Sequence, residues 1–315
     1  MTSQPDFRFG VDFVTLNHPG FWGCDSEAGI RDIARADPAA FWDKALDTAA
    51  ASGVTGIELT FSPFHWSEAV STFGSVTRFA EALGSRNLSV ASGFFSDLAE
   101  GHDLSDRATT ERLLERARRY AEFLSASGAD VMAAGLTMRQ TLGDRPARIY
   151  DLAAAQVVAD FVNKLGVAVA DHGVRLALHT ESHSIFAMPR DIDLMMMLTD
   201  PAYVHFCPDS SHILIMGGDP VSVIDRYRER IVLTHWKDAI GPMPADTPID
   251  ADIFLRHQPY FCDFGAGRVD WKAWLSRMRD RHALNWHILE LDAAADPAAA
   301  IRKGIAFFQT LASQN

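Results

Sequence analysis

Four apolar runs in the second half of the chain end in side chains able to hold a cation or move a proton. "VRLALHTE" closes on His179 and Glu181, "YVHFCPD" on Asp209, "IVLTH" on His235 and "WHILE" on Glu290. Each reads as a buried strand with polar residues at its C-terminal tip. Residues two apart share a strand face, so His179 and Glu181 are expected to point the same way. Crowded in a low-dielectric pocket, the carboxylates Glu181, Asp209 and Glu290 would repel one another unless a cation balanced them. One divalent ion held by Glu181, Asp209, His235 and Glu290 is the simplest balance. An oxygen-rich set with one nitrogen and no thiolate suits Mn2+ first, then Mg2+ or Co2+, with Zn2+ a further choice. Taken singly, each residue has a plainer reading: Glu290 as an ion-pair partner, Asp209 as a turn cap after Pro208, His235 as a core histidine. Their recurrence at four successive strand tips favours the shared ion.

Other candidates surround this set. His212 follows Asp209 in "DSSH", and Lys237 follows His235 in "HWKD". Lys237 shares His235's side of a strand and could meet a substrate oxygen, or else form a salt bridge with Asp238 or Glu181. His179 suits either orientation of a metal ligand or general-base work near neutral pH. Phe21 and Trp22, Phe61, Phe64, His65 and Trp66, and Phe94 and Phe95 follow the first three strands. There they could stack on sugar C–H faces, with loop packing as the alternative. The chemistry these groups share is proton removal next to a carbonyl, by His179, Glu181 or Glu290, with charge stabilised by the ion.

Strand-like runs at 7–16, 54–61, 88–95, 129–136, 174–181, 203–212, 231–239 and 285–292 have to position these residues. They alternate with helical patterns at 39–53, 71–87, 105–128, 148–173, 189–200, 220–231, 270–282 and 296–313. Eight such units imply right-handed crossovers and a parallel sheet closed into a (β/α)8 TIM barrel. The reading is one domain over 1–315 with a long loop insertion at 240–269, after the seventh strand, on the face where barrels place their chemistry. An open doubly wound sheet is the rival, but "TLNHPGFWG" after the first strand is not a GxGxxG turn.

The chain has 315 residues, with Lys+Arg 29 against Asp+Glu 41 and a net charge of −12. That balance argues against nucleic acid, which is held by cationic contacts to phosphate. Three cysteines without a CxxC spacing point to a reducing compartment. "MTSQPDFRFG" lacks a basic region followed by an apolar stretch, and no apolar run reaches the ~20 residues needed to span a bilayer. The expectation is a cytoplasmic protein of enzyme size acting on a small molecule, with no membrane partner. A homo-oligomer or an accessory-subunit role stays open.

At these residues the chain resembles the xylose isomerase-like barrel superfamily, the sugar phosphate isomerase/epimerase group. "HTE", "DSSH", "THWKD", "FGAGRVDW" and "ILELD" fall in that family's order. The resemblance implies a divalent metal on Glu181, Asp209, His235 and Glu290, proton transfer by Glu181 and Glu290, and substrate contact by His212. Three departures stand out. Gly241 and Ala187 occupy places where ketose 3-epimerases carry arginine and a second glutamate, and Ala266 stands where many relatives carry glutamate. The pattern is similar to the inosose dehydratases. It also resembles metal-dependent lyases that cleave 3-oxo-glycosides, in which a histidine at the place of His179 serves as base. The expected function is a metal-dependent sugar isomerase, epimerase or dehydratase, with a 3-oxo-glycoside lyase (deglycosidase) subunit as the alternative. A non-catalytic sugar-binding or assembly subunit is the alternative of another class. The endonuclease branch of the superfamily would need a basic DNA face.

Overall fold

The computed structural model describes residues 7–141, 150–279 and 284–314. All eight expected strands form: β1 (Phe9–Asp12), β2 (Gly56–Leu59), β3 (Ser89–Phe95), β4 (Val131–Gly135), β5 (Arg175–His179), β6 (Val204–Cys207), β7 (Thr234–Trp236) and, after the two short strands β8 (Asp238–Ala239) and β9 (Phe261–Cys262), β10 (His287–Leu289). The eight long-range partners pair in parallel in the order β6-β5-β4-β3-β2-β1-β10-β7. The ring closes between β6 and β7 through two parallel bridges, Phe206–Ile231 and Asp209–His235. This is a TIM barrel, and its closing seam joins two of the residues singled out above.

Helix starts follow local chemistry. Asp37, Asp106, Asp151 and Asp296 each cap a first turn by accepting a backbone N–H three residues on. Pro38 and Pro297 open their helices where no N–H is required. The pattern at 71–87 forms two helices, Trp66–Phe73 and Val76–Gly84. Gly74, at φ +82, ends the first, and Ser75 caps the second. An additional helix, Glu27–Ala36, lies in the connection after β1. The expected helices at 148–173 and 270–282 extend into 142–149 and 280–283, outside the described residues. Leu152–Ala170 is long and apolar enough to cross a membrane, but it buries Phe161, Val162, Leu165 and Val169 in the helix layer.

Inside the ring, Ala91, Val131, Ala133, Ala177, Cys207, Leu233, Trp286 and Ile288 make an apolar floor. Trp286 fits only because its neighbour lacks a side chain: a Cβ on Gly56 would lie 2.5 Å from the indole. Two residues further along each strand, the inward positions turn polar. Gly10 leads to Asp12, Gly56 to Glu58, Ala177 to His179, Cys207 to Asp209, Leu233 to His235 and Ile288 to Glu290. All six are buried, so the top of the barrel interior is one polar layer resting on an apolar one.

The 240–269 insertion contains the short helix Ile253–His257 and returns through β9, which pairs antiparallel with β8. The Asp238 carboxylate pins that return, accepting from Gly265 N at 2.8 Å, Gly267 N at 3.2 Å and Trp271 Nε1 at 2.8 Å. A Cβ on Gly267 would meet Asp238 Oδ1 at 2.1 Å, so only glycine lets the loop pass this close.

Gly56→Ala is expected to push Trp286 off its rotamer and destabilise the fold by about 1–3 kcal/mol in chemical denaturation. Adding Trp286→Leu should recover part of that loss, whereas a double variant no more stable than Gly56→Ala would contradict the packing account.

Candidate functional site

One ligand atom from each of His179, Asp209, His235 and Glu290 lies within 4.8 Å of the others, and all four residues are buried. Neither ring nitrogen of His179 nor Asp209 Oδ2 has a hydrogen-bond partner. Buried polar atoms are rarely left this way, and a convergent set of them fits a missing cation. The local structure aims them. Asp209 caps the helix Ser210–Ile215, its Oδ1 accepting from Ser211 N at 2.8 Å and His212 N at 2.9 Å, which leaves Oδ2 for the interior. Oδ2 stands 3.9 Å from His179 Nε2, and His235 Nδ1 is 2.7 Å from Glu290 Oε2.

Electrostatics divide the groups. Burial disfavours charge at every one. At Asp209 it is outweighed by the neighbouring His212 and His179 rings, which hold the carboxyl at about 2. Burial is likewise overcome at Glu290, where Lys237 and His235 keep the carboxyl well below its usual range. Glu181 goes the other way: burial pushes it well above the ordinary carboxylate range against the attraction of Lys237, with Glu290, Asp292 and Asp209 adding repulsion. His179 and His212 are both driven down by burial and stay neutral.

The expected quartet differs at one position: His179, not Glu181, completes the set. β5 ends at His179, which stands two residues beyond the floor residue Ala177, as Asp209 does beyond Cys207. Glu181 lies past the strand end, where its backbone N–H turns to Phe186 O. Its carboxylate approaches His212 Nδ1 at 3.4 Å and His179 Nδ1 at 3.9 Å, beside the layer and above it. His212 is held by Ser182, whose backbone N–H donates to Nδ1 at 3.1 Å. That nitrogen is therefore an acceptor, and the proton of the neutral ring is on Nε2, 3.5 Å from Lys237 Nζ. Lys237 pairs with Glu290 Oε1 at 2.5 Å and with Asp292, not with Asp238 or Glu181.

The two tryptophans are not brought to this site. The Trp22 indole stacks on Phe41 with centroids 4.2 Å apart and donates to Leu16 O, because the turn Pro19–Trp22 folds it back under the helices. Trp66 stacks on Tyr120 in the helix layer. The rings that do reach the site are Phe94, edge-on to His179 at 5.3 Å, and Phe261, 5.4 Å from His212 and under Lys237 Nζ at 4.1 Å.

Several site residues were not among those singled out from the sequence. Asp292, two residues past Glu290 on the same side, could have been found by extending the i, i+2 rule. Burial, with Glu290 adding repulsion against the pull of Lys237, raises it to about 6. Asp12 and Glu58 share the polar layer, and their positions follow only from the barrel register. Phe261 and His257 arrive from the long insertion, and His257 Nε2 meets His183 Nδ1 at 2.8 Å. His183 has the unusual φ of +63 for a residue with a side chain.

Comparison with known proteins places this arrangement. Residues 46–311 match the family described as xylose isomerase-like TIM barrel. An inosose dehydratase of Clostridium botulinum is 26% identical over 228 residues, 70% of this chain and 74% of the relative. One from Lacticaseibacillus casei is 27% identical over 228 residues, 69% and 73% of the two chains. Among solved structures, a xylose isomerase-like TIM barrel protein of Mycobacterium smegmatis in complex with magnesium has a TM-score of 0.69 at 15% identity, covering 100% of this chain and 99% of that one. The IOLI protein with a bound zinc atom has a TM-score of 0.68 at 14% identity, covering 98% and 97%. These structural likenesses concern the fold.

The geometry separates His179 from Glu181 experimentally. His179→Ala should abolish stoichiometric Co2+ binding in calorimetry at micromolar protein, while Glu181→Ala should bind one equivalent. The reverse pattern would restore Glu181 to the quartet.

Proposed function

The chain belongs to the xylose isomerase-like TIM barrel family, and we propose that it is a metal-dependent carbohydrate lyase of the dehydratase type, removing water from a keto-polyol. The observation that carries this reading is the convergence of four buried ligand atoms beneath two further carboxyls, Glu181 and Asp292, that the quartet does not use. The relatives named as inosose dehydratases support the direction of the chemistry.

His179, Asp209, His235 and Glu290 would hold one divalent ion. Two imidazoles with two carboxylates make a less oxygen-rich set than Glu181 would have given, which moves the preference from Mg2+ toward Mn2+, Co2+ and Zn2+. When bound, such an ion polarises a carbonyl oxygen and stabilises the negative charge that develops there. The chain's own residues do the rest. Glu181, a partly accessible carboxylate with a raised affinity for protons, takes the proton from the carbon next to the carbonyl. His212 Nε2–H and the Lys237 ammonium donate to substrate oxygens and fix the ring. Asp292, hydrogen-bonded to Lys237, gives a proton to the departing hydroxyl. The C–H electron pair becomes the new C=C bond as the C–O bond breaks, and one water leaves. Phe94 and Phe261 pack on apolar C–H faces and keep solvent from the intermediate stage.

An isomerase or epimerase shares the first step and differs only in where the proton returns. Incubation of the Mn2+-loaded protein with a keto-inositol in D2O should yield a dehydrated, ultraviolet-absorbing product, and chelation should stop it. Glu181→Gln should lower kcat by about 10²–10⁴-fold. Deuterium incorporation without loss of water would instead make the protein an isomerase or epimerase, and turnover surviving full demetallation would reject the metal-dependent reading.

A further inference from the structure

Glu58 takes no part in the chemistry above, yet it is wholly buried at the level of the quartet. Neither of its oxygens has a hydrogen-bond partner. An unpaired carboxylate is costly to bury, so its position calls for a counterpart. The group facing it is His235, three strands away around the ring, with Nε2 2.9 Å from Glu58 Oε2. The contact lies off the axis of an N–H bond, which is why both atoms remain unpartnered. The other ring nitrogen, Nδ1, faces Glu290 Oε2 at 2.7 Å. The two nitrogens of His235 are thus divided, Nδ1 toward the quartet and Nε2 toward Glu58. Asp12 stands beside Glu58 in register, but its Oδ1 already accepts from Val14 N at 2.7 Å.

A histidine that ligates through one nitrogen typically gives its other N–H to a carboxylate, which fixes the tautomer and makes the ligating nitrogen more basic. We propose that Glu58 is the positioning residue of the metal centre: it accepts the Nε2–H of His235, leaves Nδ1 unprotonated, and holds the ring edge toward the ion. This inference rests on the metal-holding quartet. Its rival is a second cation between Asp12, Glu58 and His235, whose ligand atoms also lie within 4.8 Å of one another. That arrangement would require His235 to surrender both ring protons, whereas the positioning role keeps the one on Nε2.

The test is a Co2+ titration of the metal-free protein and of Glu58→Gln by calorimetry and visible absorption, together with melting of both metal-free forms. The wild type is expected to bind one Co2+ per chain. Glu58→Gln is expected to bind it about 10–100-fold more weakly, with a shifted cobalt absorption band, and to melt no lower than the wild type when metal-free. Affinity within twofold of wild type would overturn the inference while leaving the quartet intact. So would a lower metal-free melting temperature with unchanged affinity, which marks a purely structural role. Two Co2+ in the wild type and one in the variant would assign Glu58 to its own ion and overturn the inference as well. A wild type that binds no Co2+ would fail the metal reading itself and this inference with it.

Discussion

Six polar side chains arrive at one level inside a closed ring of strands, and four of them are carboxylates. In a low-dielectric interior that much negative charge is unstable without a counter-ion. Lys237 supplies one positive charge, and it is drawn between Glu290 and Asp292. It does not reach the unpartnered oxygens of Asp209 and Glu58. The layer therefore asks for a cation at its centre, and the mouth above it carries the groups that can use one.

The same layering explains what could be read from the sequence and what could not. Eight alternating units and polar strand ends are local signals, and they led to the barrel and to the convergence of Asp209, His235 and Glu290. Choosing between His179 and Glu181 needed the height at which β5 stops relative to its neighbours. That height is set by pairing with β4 and β6, which no single segment contains. "GIELTF" shows a glutamate inside an apolar run, but whether it faces the interior depends on the irregular register between β2 and β3. Trp22 and Trp66 had the right composition for a sugar-facing wall. Their loops turn them into the helix layer instead, where the indoles stack on Phe41 and Tyr120.

The 240–269 insertion changes the character of that mouth. It brings Phe261 over Lys237 and seats His257 against His183, so part of the wall around the reacting groups comes from a segment far along the chain. Asp238, next to the buried Lys237, anchors the segment's return through Gly265, Gly267 and Trp271. One strand end thus places His235 in the polar layer and supplies a cation in Lys237 and a loop anchor in Asp238. Changes in the loop should be felt at the site through this shared stem.

Crystals grown with Mn2+ and measured at an energy where manganese scatters anomalously offer the most direct test. The account predicts a single strong peak in the barrel mouth, about 2.0–2.3 Å from donor atoms of His179, Asp209, His235 and Glu290. A peak coordinated by Glu181 in place of His179, or no peak within reach of the four, would contradict it.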